Sequence, residues 1–129
     1  MGKKELFKRM NTQKKKKLRA ECDKLCYLKY LKSDCEICGK SAQQLHHFYP
    51  KSCYSHLRYE PLNLISLCNA CHFRLTHQNR RLEDTIREKR GEKWYKKLFK
   101  LAKNRPKTSF QTLEWYNQQK KKLEKYDKS

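Results

Sequence analysis

Two Cys-x-x-Cys pairs constrain the fold of this chain more than any other feature of its sequence. Cys35 and Cys38 form the first pair, and Cys68 and Cys71 form the second. Each two-residue gap lets a turn offer two sulfurs on one side, and four thiolates can occupy the tetrahedral corners around Zn²⁺. A zinc ribbon usually leaves roughly 15–20 residues between its pairs, but here the whole segment 39–67 lies between them. We therefore expect a structural zinc that joins the two ends of an inserted functional segment.

The seven cysteines are better explained by metal binding than by disulfides. Their number is odd, and the lysine-rich N-terminus contains no apolar signal stretch, so a secreted disulfide scaffold is not indicated. Cys22, Cys26 and Cys53 remain outside the two pairs. Cys22 and Cys26 are spaced i, i+4 on an expected helix, where small buried apolar residues are the simpler interpretation.

The charge of the chain points to a polyanionic partner. There are 33 Lys and Arg against 13 Asp and Glu, which gives a formal net charge of +20. Such an excess repels itself unless an anionic partner neutralises it, and nucleic acid is the obvious candidate. A solvated basic surface and a basic ribosome-associated protein are the alternatives. The candidate phosphate contacts are Lys14–Lys17, Arg80, Arg81, Lys96, Lys97 and Lys120–Lys122.

The chain length fits one compact domain, which we divide into three segments. Residues 1–32 form a basic N-terminal helical arm, residues 33–80 a zinc-knuckle core, and residues 81–129 a set of C-terminal basic helices. In the core, the patterns predict strands in QQLHHFYP and LNLISLC, followed by a helix that begins at Asn69. The order strand, loop, strand, helix is a ββα unit.

The flanking helices carry apolar faces at helical spacing. The predicted face of the N-terminal helix consists of Leu18, Cys22, Leu25 and Leu28, and that of the helix after Gly91 consists of Trp94, Leu98 and Leu101. Pro106 should stop this helix. Thr108 and Gln111 then fit a capping box at the start of the last helix.

His46, His47 and Asn63 lie inside the inserted segment, and His72 lies just after it. Neighbouring residues on a strand point to opposite faces, so His46 and His47 cannot easily share one role. One can hold a metal while the other accepts a proton from water, and His72 could complete the metal site. Imidazole suits Zn²⁺ or Ni²⁺ better than Mn²⁺ or Mg²⁺. A second structural zinc, or histidines with no shared site, are the alternatives.

Taken together, these residues resemble the HNH endonuclease family, the zinc-stapled branch of the ββα-metal nucleases. The signature occurs here as HH at 46 and 47, the N of LNLISLC, and the segment CNACH. The resemblance covers about residues 35–79. It implies a small α+β fold in which a ββα-metal core is joined by a four-cysteine zinc site and flanked by N- and C-terminal helices.

The resemblance also implies a role for each residue of the site. His46 and His72 would bind one catalytic divalent ion (Mg²⁺, Mn²⁺, Ni²⁺ or Zn²⁺), and His47 would be the general base that activates water. Asn63 would hold the loop and orient the base, and cleavage would leave 5′-phosphate and 3′-hydroxyl ends. The segment HLRYEPLN also resembles phage recombination nucleases of the Rap or NinG type, which makes Arg58 a candidate contact to the phosphate or leaving group.

Two positions depart from the family pattern. Many relatives carry a further histidine four residues after the one that matches His72, whereas this chain has Thr76 there and a histidine one later, at His77. A residue at i+5 points away from the i face of a helix, so His77 is expected to contact phosphate rather than a metal. His46 stands where many members have Asp, which lowers the charge facing the metal and favours softer ions than Mg²⁺.

The sequence therefore predicts a metal-dependent DNA endonuclease of the phage or prophage recombination type, acting on duplex or branched DNA. Homing, restriction or packaging HNH nucleases are alternatives within the same class. The alternative outside it is a catalytically silent zinc module that binds DNA or RNA. We expect a cytoplasmic, nucleoid-associated protein of a bacterial or phage-infected cell, since no apolar run approaches the roughly eighteen residues of a membrane span. The helical flanks could form a homodimer or could cover the small core.

Overall fold

The computed structural model of the protein describes residues 2–106 and 111–125. The chain is divided into two compact units. Met1–Lys29 and Pro106–Ser129 form the first unit, and Tyr30–Arg105 form the second. All of the residues proposed from sequence for metal binding and catalysis belong to the second unit.

The described residues form a small α+β protein with five α-helices, two single-turn 3-10 helices and a two-stranded sheet. This confirms that the chain is a small α+β protein. The ββα-metal core and the division of one domain into segments 1–32, 33–80 and 81–129 stay predictions. Within the described part of the chain, no helix has the length and apolar character needed to cross a membrane. The elements are α1 (Lys3–Tyr30), β1 (Gln44–His47), β2 (Leu64–Leu67), α2 (Asn69–His77), α3 (Leu82–Arg90), α4 (Glu92–Lys103) and α5 (Leu113–Glu124), with the 3-10 turns at Ser55–Leu57 and Pro61–Asn63.

The first unit is built from α1 and α5. Leu18, Cys22 and Cys26 are buried on α1, and the Cys22 thiol donates to the carbonyl oxygen of Tyr116 on α5 at 3.4 Å. Cys22 and Cys26 are therefore small buried residues, as predicted. The predicted face is wrong at its end, because Leu28 is 66% exposed. The buried stripe follows four-residue steps instead, so that Cys26 continues it after Cys22.

The last helix begins later than the sequence pattern predicts. Thr108 of the predicted capping box lies outside the described residues. The cap that is seen is Thr112, whose side-chain oxygen accepts a hydrogen bond from the N–H of Trp115 at 3.1 Å. This contact satisfies one of the free N–H groups in the first turn of α5.

The sheet of the second unit joins the two predicted strands. β1 and β2 are antiparallel, with Gln44 opposite Leu67 and His47 opposite Leu64. All four residues of β2 are buried, so both faces of this strand are covered. The segment before the first cysteine pair covers the other side of the strand, where the Lys32 N–H donates to the Ser66 hydroxyl at 2.9 Å.

The helices after the sheet complete the core of this unit. Gly91 has a φ of 95°, a conformation that favours glycine, and it separates α3 from α4 as predicted. Leu98 is fully buried, but Leu101 is 38% exposed and Ala102 is buried in its place. A four-residue step from Leu98 to Ala102 keeps the same face of α4 on the core, which the three-residue step to Leu101 does not. The fully buried core side chains of this unit are Ile65, Leu67, Ile86 and Leu98.

Candidate metal centre and histidine cleft

The four cysteines of the two pairs lie together in the second unit. Their sulfur atoms are all within 4.8 Å of one another, and the Sγ atoms of Cys38 and Cys68 are 3.6 Å apart. Among the described residues, this is the one group of three or more His, Cys, Asp or Glu side chains close enough to hold a metal ion. Four sulfurs in one cluster can bind a metal such as zinc, as the spacing predicts.

Backbone hydrogen bonds shape both halves of the cluster. Gly39 has a φ of 80°, and its N–H donates to the carbonyl of Cys35 at 2.9 Å, which closes the first turn. Cys68 is the N-cap of α2, and its sulfur accepts the N–H of Cys71 at 3.3 Å. A turn and a helix N-terminus therefore aim the two pairs at one point, with amide N–H groups directed at sulfur.

The thiols of the cluster differ in acidity. Burial raises the pKa of the Cys35 thiol, but backbone N–H groups, first that of Cys38, stabilise the thiolate more and lower the pKa to about 6. The N–H of Cys71 is the main cause of the lowered pKa of Cys68. Burial, followed by the neighbouring sulfurs, raises the pKa of Cys71. Because four crowded sulfurs resist full deprotonation, a bound cation is what would allow all of them to be thiolates.

A cleft of about 500 Å³ is bordered by three histidines, His46, His47 and His72. His46 and His47 come from β1, and His72 comes from the second turn of α2. The ring centroids of His46 and His72 are 5.5 Å apart, with the rings inclined at 67°. Lys51 also lines this cleft and supplies a positive charge. The structure therefore brings the two proposed ligands of the catalytic ion together beside the proposed base.

His46 is held in an environment that disfavours its charged form. Its Nε2 atom is buried and has no hydrogen-bond partner among the described residues. Burial, followed by the charges of His72 and His47, lowers the pKa of His46 to about 4. Burial, and then His77, also lowers the pKa of His72. Both rings are neutral at pH 7 as a result, which is the form that binds a metal.

His47 makes a different contact. Its Nε2 atom lies 2.9 Å from the carbonyl oxygen of Arg58. Since a carbonyl oxygen can only accept a hydrogen bond, Nε2 carries the proton and Nδ1 is the acceptor nitrogen of the ring. This is the tautomer that a general base requires, with its second nitrogen fixed by the protein.

Asn63 is fully buried at the end of the loop between the strands. Its Nδ2 group donates to the carbonyls of Tyr49 and Leu57 at 3.1 and 3.3 Å, and its Oδ1 atom accepts the N–H of Tyr49 at 2.8 Å. One side chain therefore connects both ends of the loop. Leu57 directly precedes Arg58, so Asn63 holds the peptide group next to the one whose carbonyl accepts from His47.

The side chains of Arg58, Thr76 and His77 contact other groups of the protein. Arg58 contributes its backbone carbonyl to the site, and its guanidinium carbon lies 6.0 Å from the centroid of the Tyr59 ring. The Thr76 hydroxyl donates to the carbonyl of His72, and the ring of His77 lies 4.8 Å from that of Phe73. Phosphate contacts by Arg58 and His77 stay predictions.

Sequence reasoning missed the ion pair between Glu36 and Arg90. The Arg90 guanidinium donates to both carboxylate oxygens of Glu36 and also to the carbonyls of Leu62 and Leu64. Glu36 lies between Cys35 and Cys38. Nothing local to Arg90 could have identified that partner, because 54 residues separate the two.

Comparison of the chain with protein-family models, with curated proteins and with solved structures finds no match.

Proposed function

We propose that this chain is a metal-dependent DNA endonuclease of the HNH type, with the four-cysteine cluster as its structural zinc site. The observation that carries the proposal is the 2.9 Å contact between His47 Nε2 and the Arg58 carbonyl. This contact gives His47 the tautomer of a general base. Asn63 donates to the carbonyl of Leu57, the residue before Arg58, and so stabilises the backbone that His47 contacts. A module that only binds nucleic acid has no need for a histidine oriented in this way.

His46 and His72 are the residues that would hold a catalytic divalent ion. The buried Nε2 of His46 has no hydrogen-bond partner among the described residues, which is costly unless a ligand occupies that position. The ring separation of 5.5 Å lets both histidines contribute a nitrogen to one ion. A divalent ion bound there supplies Lewis-acid stabilisation of the charge that develops on the scissile phosphate and the leaving oxygen.

His47 is the residue that moves a proton. Its Nδ1 atom accepts a proton from the water that attacks phosphorus, and the ring becomes an imidazolium. The Arg58 carbonyl then stabilises the positive ring through the Nε2–H that already points at it. Attack in line with the leaving 3′ oxygen breaks its bond to phosphorus, and that oxygen takes a proton from solvent. The products have 5′-phosphate and 3′-hydroxyl ends, as the family resemblance implies.

The surface around the cleft fits a DNA backbone. Lys51 lines the histidine cleft, and Arg80 follows α2 on an adjoining cleft. Both side chains are exposed and carry charge that can contact phosphate. The net charge of +20 supports the same partner. The resemblance to phage recombination nucleases makes branched DNA the first substrate to compare with duplex.

The test is cleavage of a supercoiled plasmid and of a branched oligonucleotide, with Mg²⁺, Mn²⁺, Ni²⁺ or EDTA. We expect metal-dependent cutting by the wild type and none by His47→Ala, which should keep the wild-type circular dichroism spectrum and DNA affinity. His77→Ala is the matched control. Loss of this imidazole should weaken DNA binding without lowering the cleavage rate at saturating protein. Turnover by His47→Ala near the wild-type rate would show that His47 is not the base. Tight binding without cutting under any ion would favour the silent zinc module.

A further inference from the structure

A second cleft adjoins the histidine cleft and shares His46, Pro50 and Thr76 with it. Its volume is about 540 Å³. Its other walls come from the end of β1, the loop that follows, the last part of α2 and the beginning of α3. A group bound here would lie directly beside a phosphate held at the histidines. Of the four residues given roles in catalysis above, only His46 lines this cleft.

Aromatic rings form one wall of the second cleft. Phe48, Tyr49 and Tyr54 line it, and the ring centroids of Tyr49 and Tyr54 are 4.9 Å apart. The backbone of Tyr49 is fixed by two hydrogen bonds with Asn63, and the N–H of Tyr54 donates to the carbonyl of Pro50 at 2.8 Å. Rings on a fixed backbone offer a flat binding surface at low entropic cost.

The wall from α3 and the residues before it carries one charge of each sign. Arg80 is exposed, whereas Glu83 is partly buried in the first turn of α3. Burial raises the pKa of the Glu83 carboxyl, and the charge of Arg80 opposes this effect. A carboxylate repels phosphate but accepts hydrogen bonds from amino groups, while an arginine at the surface suits phosphate. The cleft is therefore matched to a flat group with N–H donors that is attached to a phosphate.

A nucleobase has this chemistry, but a base stacked inside a duplex cannot offer its faces to protein rings. We propose that the second cleft binds an unpaired nucleobase next to the scissile phosphate, so that the enzyme prefers DNA with an unstacked nucleotide at the cut. The base lies against Tyr54, Glu83 accepts from its exocyclic amino group, and Arg80 contacts an adjoining phosphate. This inference rests on the proposed endonuclease function.

The first measurement compares cleavage of two duplexes of the same sequence, one fully paired and one with a single unpaired adenine. The zinc-loaded chain is used with the divalent ion that supports the fastest cutting. We expect the unpaired nucleotide to accelerate cleavage of the adjoining phosphodiester on the order of tenfold. Tyr54→Ala should bring the ratio of the two rates close to one, and Tyr54→Phe should retain it. Phe99→Ala removes an exposed ring outside both clefts and should keep the wild-type ratio.

Two further measurements keep the inference testable if Tyr54→Ala does not fold. Glu83→Ala should reduce the difference in rate between an unpaired cytosine, which has an amino group, and an unpaired thymine, which has none. In a separate binding experiment, 2-aminopurine replaces the unpaired adenine and His47→Ala replaces the wild type. The fluorescence of 2-aminopurine should fall when the protein binds, because the base stacks on a tyrosine. Adding Tyr54→Ala to the same protein should reduce that fall.

The outcomes separate this inference from the proposed function. Cutting with equal rates on both duplexes, or a preference without quenching of 2-aminopurine, would overturn the base-binding cleft and leave the endonuclease standing. Quenching that depends on Tyr54 without cutting of any DNA would support the cleft as a base-binding site and overturn the enzyme. Neither cutting nor quenching would overturn both.

Discussion

Arg90 and Glu36 form a bidentate ion pair, in which Nε and Nη2 of the arginine donate to the two carboxylate oxygens at 2.9 and 2.7 Å. Glu36 lies inside the first cysteine pair. The same guanidinium donates to the carbonyls of Leu62 and Leu64, at 3.4 and 2.8 Å, on either side of Asn63. The proposed zinc site and the residue that supports His47 are therefore linked through one side chain.

The first prediction concerns the strength of this link. Glu36→Gln keeps the shape of the side chain but leaves the Arg90 charge without its carboxylate, and only 16% of the Arg90 side chain and 19% of that of Glu36 is exposed. We expect the free energy of unfolding to fall by roughly 3 kcal/mol, at the low end for a buried pair because some solvent contact remains. Urea unfolding of the zinc-loaded protein measures it.

Glu92→Gln is the matched control for that substitution. Glu92 pairs with Arg87 at 2.7 Å, but both side chains are well exposed, at 61% and 40%. Exposed pairs contribute little to stability because water screens them. The unfolding midpoint of Glu92→Gln should stay close to that of the wild type, and an equal shift in both variants would contradict the special role of the Arg90 pair.

The second prediction is that the second unit requires a metal ion at the four-cysteine cluster in order to fold. Cys71→Ser removes a buried sulfur from the cluster, and metal binding in small domains contributes directly to folding. We expect this variant, and the wild type after chelation, to lose the dispersed amide NMR signals of residues 30–105. Cys53→Ser changes an exposed cysteine outside the cluster and should behave as the wild type. Zinc content by mass spectrometry should be one ion per chain in the control and lower in Cys71→Ser.

The third prediction concerns Asn63. Asn63→Ala leaves the N–H of Tyr49 and the carbonyls of Tyr49 and Leu57 without their side-chain partner. Because each unsatisfied buried group costs about 1–3 kcal/mol, we expect a loss of roughly 2–4 kcal/mol in unfolding free energy and a fall in cleavage rate. Asn69→Ala is the control, because it changes an exposed asparagine whose side chain accepts a hydrogen bond from Gln44. It should lower neither the unfolding free energy nor the cleavage rate. A stable Asn63→Ala protein that cuts at the wild-type rate would contradict the supporting role.

The fourth prediction separates the two proposed metal sites. His72→Ala should weaken binding of Mn²⁺ or Ni²⁺ to the zinc-loaded protein by more than about tenfold, since even outer partners of a metal site contribute that much. The four-cysteine zinc should be retained, because His72 is not part of that cluster. His77→Ala should leave the affinity for the second ion unchanged. Isothermal titration of the three proteins gives the comparison, and equal affinities would remove His72 from the ligand set.

The fifth prediction is a steep dependence of DNA affinity on salt. If roughly six to ten Lys and Arg side chains contact phosphate, affinity should fall by about 10³–10⁵ between 50 and 200 mM salt. Fluorescence anisotropy with a labelled duplex measures this directly. Affinity that stays flat over that range would mean that the basic surface does not bind the DNA.

Short-range patterns in the sequence predicted the elements that position the site. The spacing of the cysteines predicted that Cys35, Cys38, Cys68 and Cys71 would lie together, because two tight turns can present their sulfurs to one ion. The strand, loop, strand, helix order followed from local sequence patterns. Both results depend on residues that are close in sequence or on a metal that selects one arrangement.

Packing faces and distant pairs could not be predicted in this way. A helix offers both i+3 and i+4 as continuations of an apolar stripe, and only the neighbouring element decides between Leu101 and Ala102. The Glu36–Arg90 pair depends on how α3 lies beside the first cysteine turn, which no local pattern records. The contact between His47 and the Arg58 carbonyl is equally hidden, because any residue at position 58 supplies a carbonyl.

The two carbonyls bound by Asn63 belong to Tyr49 and Leu57, so residues 50–56 form a loop whose two ends are joined by the hydrogen bonds of one side chain. The Asn63 hydrogen bonds and the Arg58 carbonyl that accepts from His47 involve no side chain from 50–56. Tyr54 lies within this loop. The proposed base-binding residue and the proposed general base therefore lie on parts of the fold that can be changed separately, by an engineer or by natural variation.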